Sequence, residues 1–148
     1  MVFQLTVYPE YGYVIGTAFA SSLLMTYFGI KVGQARTKYD VPYPAMYADR
    51  SECDKDKSKL VFNCIQRAHQ NALETYPIFL SFLLVGGLKH PLIASSAGLI
   101  WILGRYIYAQ GYYTGDPTKR YRGGFHILGL FAVQLCGVSL ALSLLGFL

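Results

Sequence analysis

FHILGLFAVQLCGVSLALSLLGFL, residues 125–148, runs for twenty-four positions without a single Asp, Glu, Lys or Arg. A helix rises ~1.5 Å per residue, so ~20 apolar residues cross a ~30 Å hydrocarbon core. The stretch therefore reads as a membrane-spanning helix. Working back along the chain, three more apolar stretches appear. YVIGTAFASSLLMTYFGI (Tyr13–Ile30) is also uncharged, with Glu10 before it and Lys31 after it. It lacks the basic leader and short apolar run of a cleaved signal and is expected to be retained. Leu60–Leu88 and Leu92–Tyr113 are separated only by Lys89-His90-Pro91, which predicts a tight hairpin of antiparallel neighbours. Strands of a membrane barrel would be ~10 residues long with alternating polarity, and no such alternation is present. Lipid leaves backbone groups no outside partner, so the stretches are expected to be helical. The predicted fold is an all-α integral membrane bundle of four transmembrane helices, about 13–30, 60–88, 92–113 and 125–148. It forms one domain over residues 1–148.

Composition agrees. Of 148 residues, 53% are hydrophobic and 14% charged, where soluble domains carry ~25% charge. This excludes a disordered chain, and three cysteines do not make a disulfide scaffold. The net charge is +5, but no basic face with interleaved aromatics appears, so nucleic acid is not an expected partner. The cations mark the loops instead. Residues 31–59 hold Lys31, Arg36, Lys38, Arg50, Lys55, Lys57 and Lys59, and residues 113–124 hold Lys119, Arg120 and Arg122. The opposite side has Lys89 alone. The positive-inside rule then puts the first and third loops in the cytosol and both termini on the luminal or external face.

The informative residues are the polar ones inside the second and third stretches. Arg67, Asn71 and Glu74 follow a spacing of four and then three, which places them on one helix face. His69 points elsewhere, roughly 160° from Asn71 on the helical wheel. Arg105, Tyr108 and Tyr112 form a second stripe. Both stripes fall toward the same membrane face, where the third loop brings Arg120 and Arg122. Ionisable groups in spanning helices usually face the bundle interior or an aqueous cavity and are functional candidates. Internal pairing of Arg67 with Glu74, with Arg105 reaching the interface, is the plainer reading. Three arginines against one glutamate exceed what such pairing needs, and arginine forks match carboxylates. An anionic ligand is the sharper reading.

Other chemistries find little support. There is no HExxH, paired CxxC, G-x-S-x-G or glycine-rich phosphate loop. His69, His90 and His126 are scattered, so no metal site is expected. Cys64 and Cys136 lie in apolar stretches as small hydrophobes, and Cys53 has no evident activating partner. Gly12, Gly16, Gly86, Gly87, Gly98 and Gly104 are expected to mark close helix packing.

RAHQNALETYP (residues 67–77), GRYIYAQGYYTGDPTKRYRGG (residues 104–124) and KVGQARTKYDVPYPAMY (residues 31–47) resemble the MAPEG family, membrane-associated proteins in eicosanoid and glutathione metabolism. Within it, the type-three branch of microsomal glutathione S-transferases looks most similar. The resemblance implies a homotrimer of four-helix subunits in the endoplasmic reticulum, with the outer mitochondrial membrane an alternative. Glutathione, the co-substrate, would bind between neighbouring subunits at the cytosolic end. Arg67, Asn71, Glu74, Arg105, Tyr108 and Tyr112 match the family's glutathione contacts. Arg36 matches an arginine that reaches the adjacent subunit's glutathione, and His69 also faces that neighbour. Arg120 matches the arginine that activates the thiol, with Arg122 the alternative. The implied activity is a glutathione transferase and peroxidase acting on lipophilic electrophiles, such as leukotriene A-type epoxides, or on lipid hydroperoxides. Leukotriene C synthase activity also falls within the family's range. The competing reading is a non-catalytic protein of the same fold that binds and presents lipid.

Overall fold

The computed structural model describes residues 7–147, and every regular element among them is helical. Four long helices, α1 (Tyr11–Lys38), α3 (Lys57–Gly87), α4 (Pro91–Tyr113) and α5 (His126–Leu144), pack side by side. A short α2 (Arg50–Lys55) and a 3-10 turn (Pro117–Gly123) cover one end. α3 and α4 are central: both pack against α1 on one side and α5 on the other. At their contact the Phe79 and Trp101 rings stack 3.9 Å apart and 8° from parallel, both fully buried.

α1, α4 and α5 are long and apolar enough to cross a membrane. Only 28% of the apolar window of α5 is buried, and Leu128, Phe131 and Leu135 point outward. A helix apolar on all sides, with an uncovered row of large side chains, suits a lipid surround. α3 is the longest helix, at 31 residues, but Arg67, His69, Asn71 and Glu74 interrupt its apolar run.

The element ends depart from the apolar runs in three places. α1 continues past Ile30 to Lys38. Residues 31–38 contain no proline and include the good helix formers Lys, Gln and Arg. Asp40 stops it with a φ of 49°, a left-handed conformation that Asp tolerates at helix ends. α2 lies inside what reads as a solvated loop, where Glu52 accepts from the backbone N–H of Asp49 at 3.0 Å, half of a capping box. α5 ends at Leu144 before a turn at Gly146 (φ 79°), while the expected end at Leu148 lies outside the described residues.

Gly86, Gly87, Gly98 and Gly104 sit where an added Cβ would collide with a neighbouring helix. Gly12 and Gly16 do not: nothing lies within 4 Å of a Cβ at either. Both are exposed beside an open cavity between α1 and α4, so their small size is not used by packing within the chain.

Candidate functional site

The site grows from the middle of α3. Asn71 and Glu74 follow Arg67 by one and two turns, so the three side chains share a face. Arg67 grips Glu74 with both guanidinium nitrogens, Nη1 to Oε1 at 2.7 Å and Nη2 to Oε2 at 3.3 Å. Asn71 Nδ2 donates to the same carboxylate at 3.3 Å. This ion pair is open to the outside, each side chain being about two-fifths exposed.

Below it lies Arg105 of α4, only 1% exposed. Its Nη1 donates to Asn71 Oδ1 at 2.8 Å, and its Nη2 donates to the Asn71 carbonyl at 2.9 Å and to Thr75 Oγ1. The guanidinium carbon stands 5.6 Å from the Trp101 ring centre and 5.4 Å from that of Tyr108. A charge this buried needs several partners to offset lost hydration, and α3 supplies them from one turn. Its Nε has none.

The chain of contacts continues toward the third loop. Tyr108 and Tyr112, one turn apart, meet edge to face at 5.5 Å. Arg120 of the 3-10 turn lies over Tyr112, its guanidinium carbon 5.6 Å from the ring centre and Nη1 3.4 Å from the phenol oxygen. It also donates to the Pro117 carbonyl and the Tyr121 hydroxyl, at 3.2 and 2.9 Å. Arg122, in contrast, is exposed, and its side chain makes no hydrogen bond among the described residues. Sequence spacing thus brings Arg67, Asn71, Glu74, Arg105, Tyr108, Tyr112 and Arg120 into one continuous row.

Two glycines set the position of Arg120. A Cβ on Gly111 would lie 2.3 Å from the Lys119 carbonyl oxygen, and one on Gly123 would lie 2.2 Å from the Gly104 carbonyl oxygen and the Tyr108 nitrogen. Only residues without a side chain let the turn lie this flat on α4. His126 fastens the turn's far end: its Nδ1 pairs with the Gly123 carbonyl at 2.9 Å, and its ring meets Tyr108 edge on at 5.4 Å. Asp116 caps the near end, accepting from the Thr118 amide at 3.0 Å and hydroxyl at 2.7 Å. Those hydrogen bonds, from the side chain first, hold the Asp116 carboxyl below the ordinary carboxylate range.

Two expected residues lie apart from the row. Arg36, near the end of α1, is buried under the loop that follows the helix. It donates to the carbonyls of Val41, Ala45 and Met46 at 3.1, 2.6 and 3.4 Å, between the rings of Tyr43 and Phe62. His69 turns toward α1, its Cε1 3.8 Å from where a Gly29 Cβ would stand. Thr75 and His126 belong to the site and were not singled out by sequence reasoning. Thr75 carried a usable signal, since it follows Asn71 by four and extends the same stripe. His126 carried none, because its partner is a backbone carbonyl of a turn.

Fold and site together define an integral membrane protein with a row of arginines, an amide and phenols at one end of its bundle. Its relatives agree: the sequence matches the MAPEG family over residues 14–142, and the chain belongs to that family. It is 34% identical over 115 residues to human Microsomal glutathione S-transferase 2, covering 76% of this chain and 70% of the human one. The same comparison with the Bos taurus Microsomal glutathione S-transferase 2 gives 33% identity and the same coverage. An uncharacterized protein of Synechocystis sp. is 33% identical over 130 residues, 87% of this chain and 85% of that one. The transferases among these relatives carry the type-two name, whereas the motifs alone suggested type three.

Proposed function

We propose that the chain is a membrane glutathione transferase. It ionises the glutathione thiol and directs it at lipophilic electrophiles such as leukotriene A-type epoxides, or at lipid hydroperoxides. The observation that carries the reading is the row from Glu74 to Arg120. One end of glutathione is a zwitterion, an ammonium beside a carboxylate. The exposed Arg67–Glu74 pair is its electrostatic complement: Glu74 takes the ammonium, Arg67 takes the carboxylate, and the internal pair opens. Asn71 adds hydrogen bonding. Arg105 has almost no exposed surface to offer and acts as a positioning residue beneath Asn71. Arg36 acts in the same way on the first loop. His69 remains assigned to a neighbouring subunit's glutathione in a homotrimer.

At the other end Tyr108 and Tyr112 line the approach and Arg120 sits beside the sulfur. A free thiol has a pKa of ~8.5 and is mostly protonated at neutral pH; the thiolate is the nucleophile. A guanidinium ~4 Å away at an effective dielectric of ~20 is worth up to ~4 kcal/mol. Each tenfold gain in ionisation needs ~1.36 kcal/mol, and desolvation opposes part of the gain. With an epoxide, the S–C bond forms as the C–O bond breaks, and the alkoxide takes a proton to give a hydroxy thioether. With a hydroperoxide, sulfur attacks the terminal oxygen and releases the alcohol. The resulting sulfenic acid takes a second glutathione, giving the disulfide and water. All four long helices cross the membrane in this reading, in the endoplasmic reticulum, with the first and third loops cytosolic.

The test is stopped-flow absorbance at 240 nm, where thiolate absorbs, on mixing detergent-purified protein with glutathione at neutral pH. A saturable rise with proton release is expected. Binding without the rise would refute thiol activation and leave a protein that holds glutathione while presenting lipid.

A further inference from the structure

A second crevice lies between α1 and α4, away from the arginine row. At the loop end it opens into a cavity of about 320 Å³ lined by Lys31, Gln34 and Lys38 of α1, Gln110 and Tyr113 of α4, and Tyr27. Lys31 and Lys38 are two turns apart and face the same side. Neither has a salt-bridge partner among the described residues, and no acidic residue lines the cavity. The Lys31 ammonium lies 5.5 Å from the centre of the Tyr27 ring. The Tyr113 hydroxyl is buried with no hydrogen-bond partner, although its residue borders the cavity.

The level of this cavity decides what would fill it. Lys31 directly follows the uncharged run that ends at Ile30, so the two lysines stand where hydrocarbon gives way to headgroups. Below them two aromatic side chains meet in the crevice. Tyr27 and Tyr106 face each other across it with ring centres 6.2 Å apart. Further down, a second cavity of about 420 Å³ between the same two helices runs from Ala20 and Leu99 toward Gly12 and Leu92, with Ser95 and Ser96 in its lining. Its near rim at Ala20 is ~16 Å along α1 from Lys31, at ~1.5 Å per residue, so this cavity lies in the far half of a ~30 Å hydrocarbon core and is separate from the lysine pocket. A cationic pocket at headgroup level between two spanning helices matches a phospholipid with a negative headgroup. Basic pockets between spanning helices on the cytosolic side bind such headgroups.

We infer that the loop end of the α1–α4 crevice is a headgroup site for an anionic phospholipid, its phosphate between Lys31 and Lys38. The site shares no residue with the glutathione row and does not depend on that assignment.

Native mass spectrometry of the full-length protein in detergent tests it. The probe is an equimolar mixture of dioleoylphosphatidylglycerol and dioleoylphosphatidylcholine. A lysine near an anionic headgroup is worth about a fivefold preference, so the pair predicts roughly twenty- to thirtyfold retention of the glycerol lipid over the choline lipid. The double variant Lys31→Gln/Lys38→Gln should lose that preference. Lys55→Gln/Lys57→Gln, with the same change in net charge in the exposed loop, should keep it. Tyr113→Phe should weaken it severalfold. Millimolar inorganic phosphate should leave the lipid bound. Equal retention of both lipids by the unaltered protein would overturn the inference. So would a preference that survives in the Lys31/Lys38 variant, or lipid released by inorganic phosphate, which would make the pocket a site for soluble phosphate instead.

Discussion

Arg105 is a permanent charge placed where almost no water reaches it. Two acceptors from Asn71 and one from Thr75 hold it, so removing an acceptor leaves a buried donor unmatched. That usually costs ~1–3 kcal/mol, and more for a charged group. Thr75→Val keeps the shape and loses the hydroxyl; we predict a lower thermal midpoint in detergent, with Thr75→Ser close to the original. An unchanged midpoint for Thr75→Val would mean that Asn71 suffices. Arg120 is a different case, partly exposed and touching only phenols and one carbonyl. Arg120→Ala should lower turnover by about tenfold or more while glutathione affinity by calorimetry changes little, since removing a group that acts only on the reacting atom lowers kcat and leaves binding. Equal turnover would remove Arg120 from its role. These roles were legible in the sequence to different depths. Arg67, Asn71 and Glu74 declare themselves by helical spacing alone. The fate of Arg36 does not, because its partners are backbone carbonyls of a loop, whose direction no side-chain pattern records.

The 3-10 turn carries Arg120, and its seat on α4 is a backbone-to-backbone contact. Gly111→Ala would drive a methyl group into the Lys119 carbonyl. The neighbour is main chain, so the turn has to lift. We predict turnover falling as far as in Arg120→Ala, together with faster amide exchange across residues 117–123; normal exchange would show that α4 yields instead. The Asp116 cap adds a pH dependence. Its carboxyl titrates below the ordinary value in the folded chain, against ~3.9 unfolded. Its contribution is therefore complete above ~3.9 and is lost as pH falls through the lower folded value. Asp116→Ala should remove at neutral pH the protection of the Thr118 amide, relative to its intrinsic exchange rate, that the unaltered protein loses only in acid. At this scale the apolar runs locate the four long helices but not their ends. α1 outruns its apolar stretch because helix formation asks only for compatible residues and a stop signal, whereas the lipid boundary asks for apolar ones. The flat lie of the turn was not legible, since glycines such as Gly111 and Gly123 look alike in sequence whether or not another backbone crosses them.

For the molecule as a whole, the unused surface is the guide. Ile15, Phe19 and Leu23 on α1 and Leu128, Phe131 and Leu135 on α5 are large, apolar and uncovered within one chain. Lipid covers such rows as readily as a neighbouring subunit does, so the rows alone do not count subunits. The proposed homotrimer predicts a particle of three times the 16.5 kDa chain mass, after correction for detergent, by light scattering; a monomer would refute it. Orientation rests on a stronger physical bias. Cations gather between residues 31 and 59 and again at Lys119, Arg120 and Arg122, and short loops rich in Lys and Arg stay on the cytosolic side. The native cysteines are all buried, so a new surface cysteine is readable against a quiet background. Ser51 is exposed in the first loop, and Tyr8, 58% exposed, precedes α1 at the opposite end. In sealed microsomes, Ser51→Cys should react with a membrane-impermeant maleimide at once. Tyr8→Cys should react only after the membrane is permeabilised. The reverse pattern would turn the protein over and put the Arg67–Glu74 pair on the luminal side, away from the cytosolic glutathione assigned to it. Prompt reaction at both positions would place the two ends of the bundle on one face, and α1 would then not span.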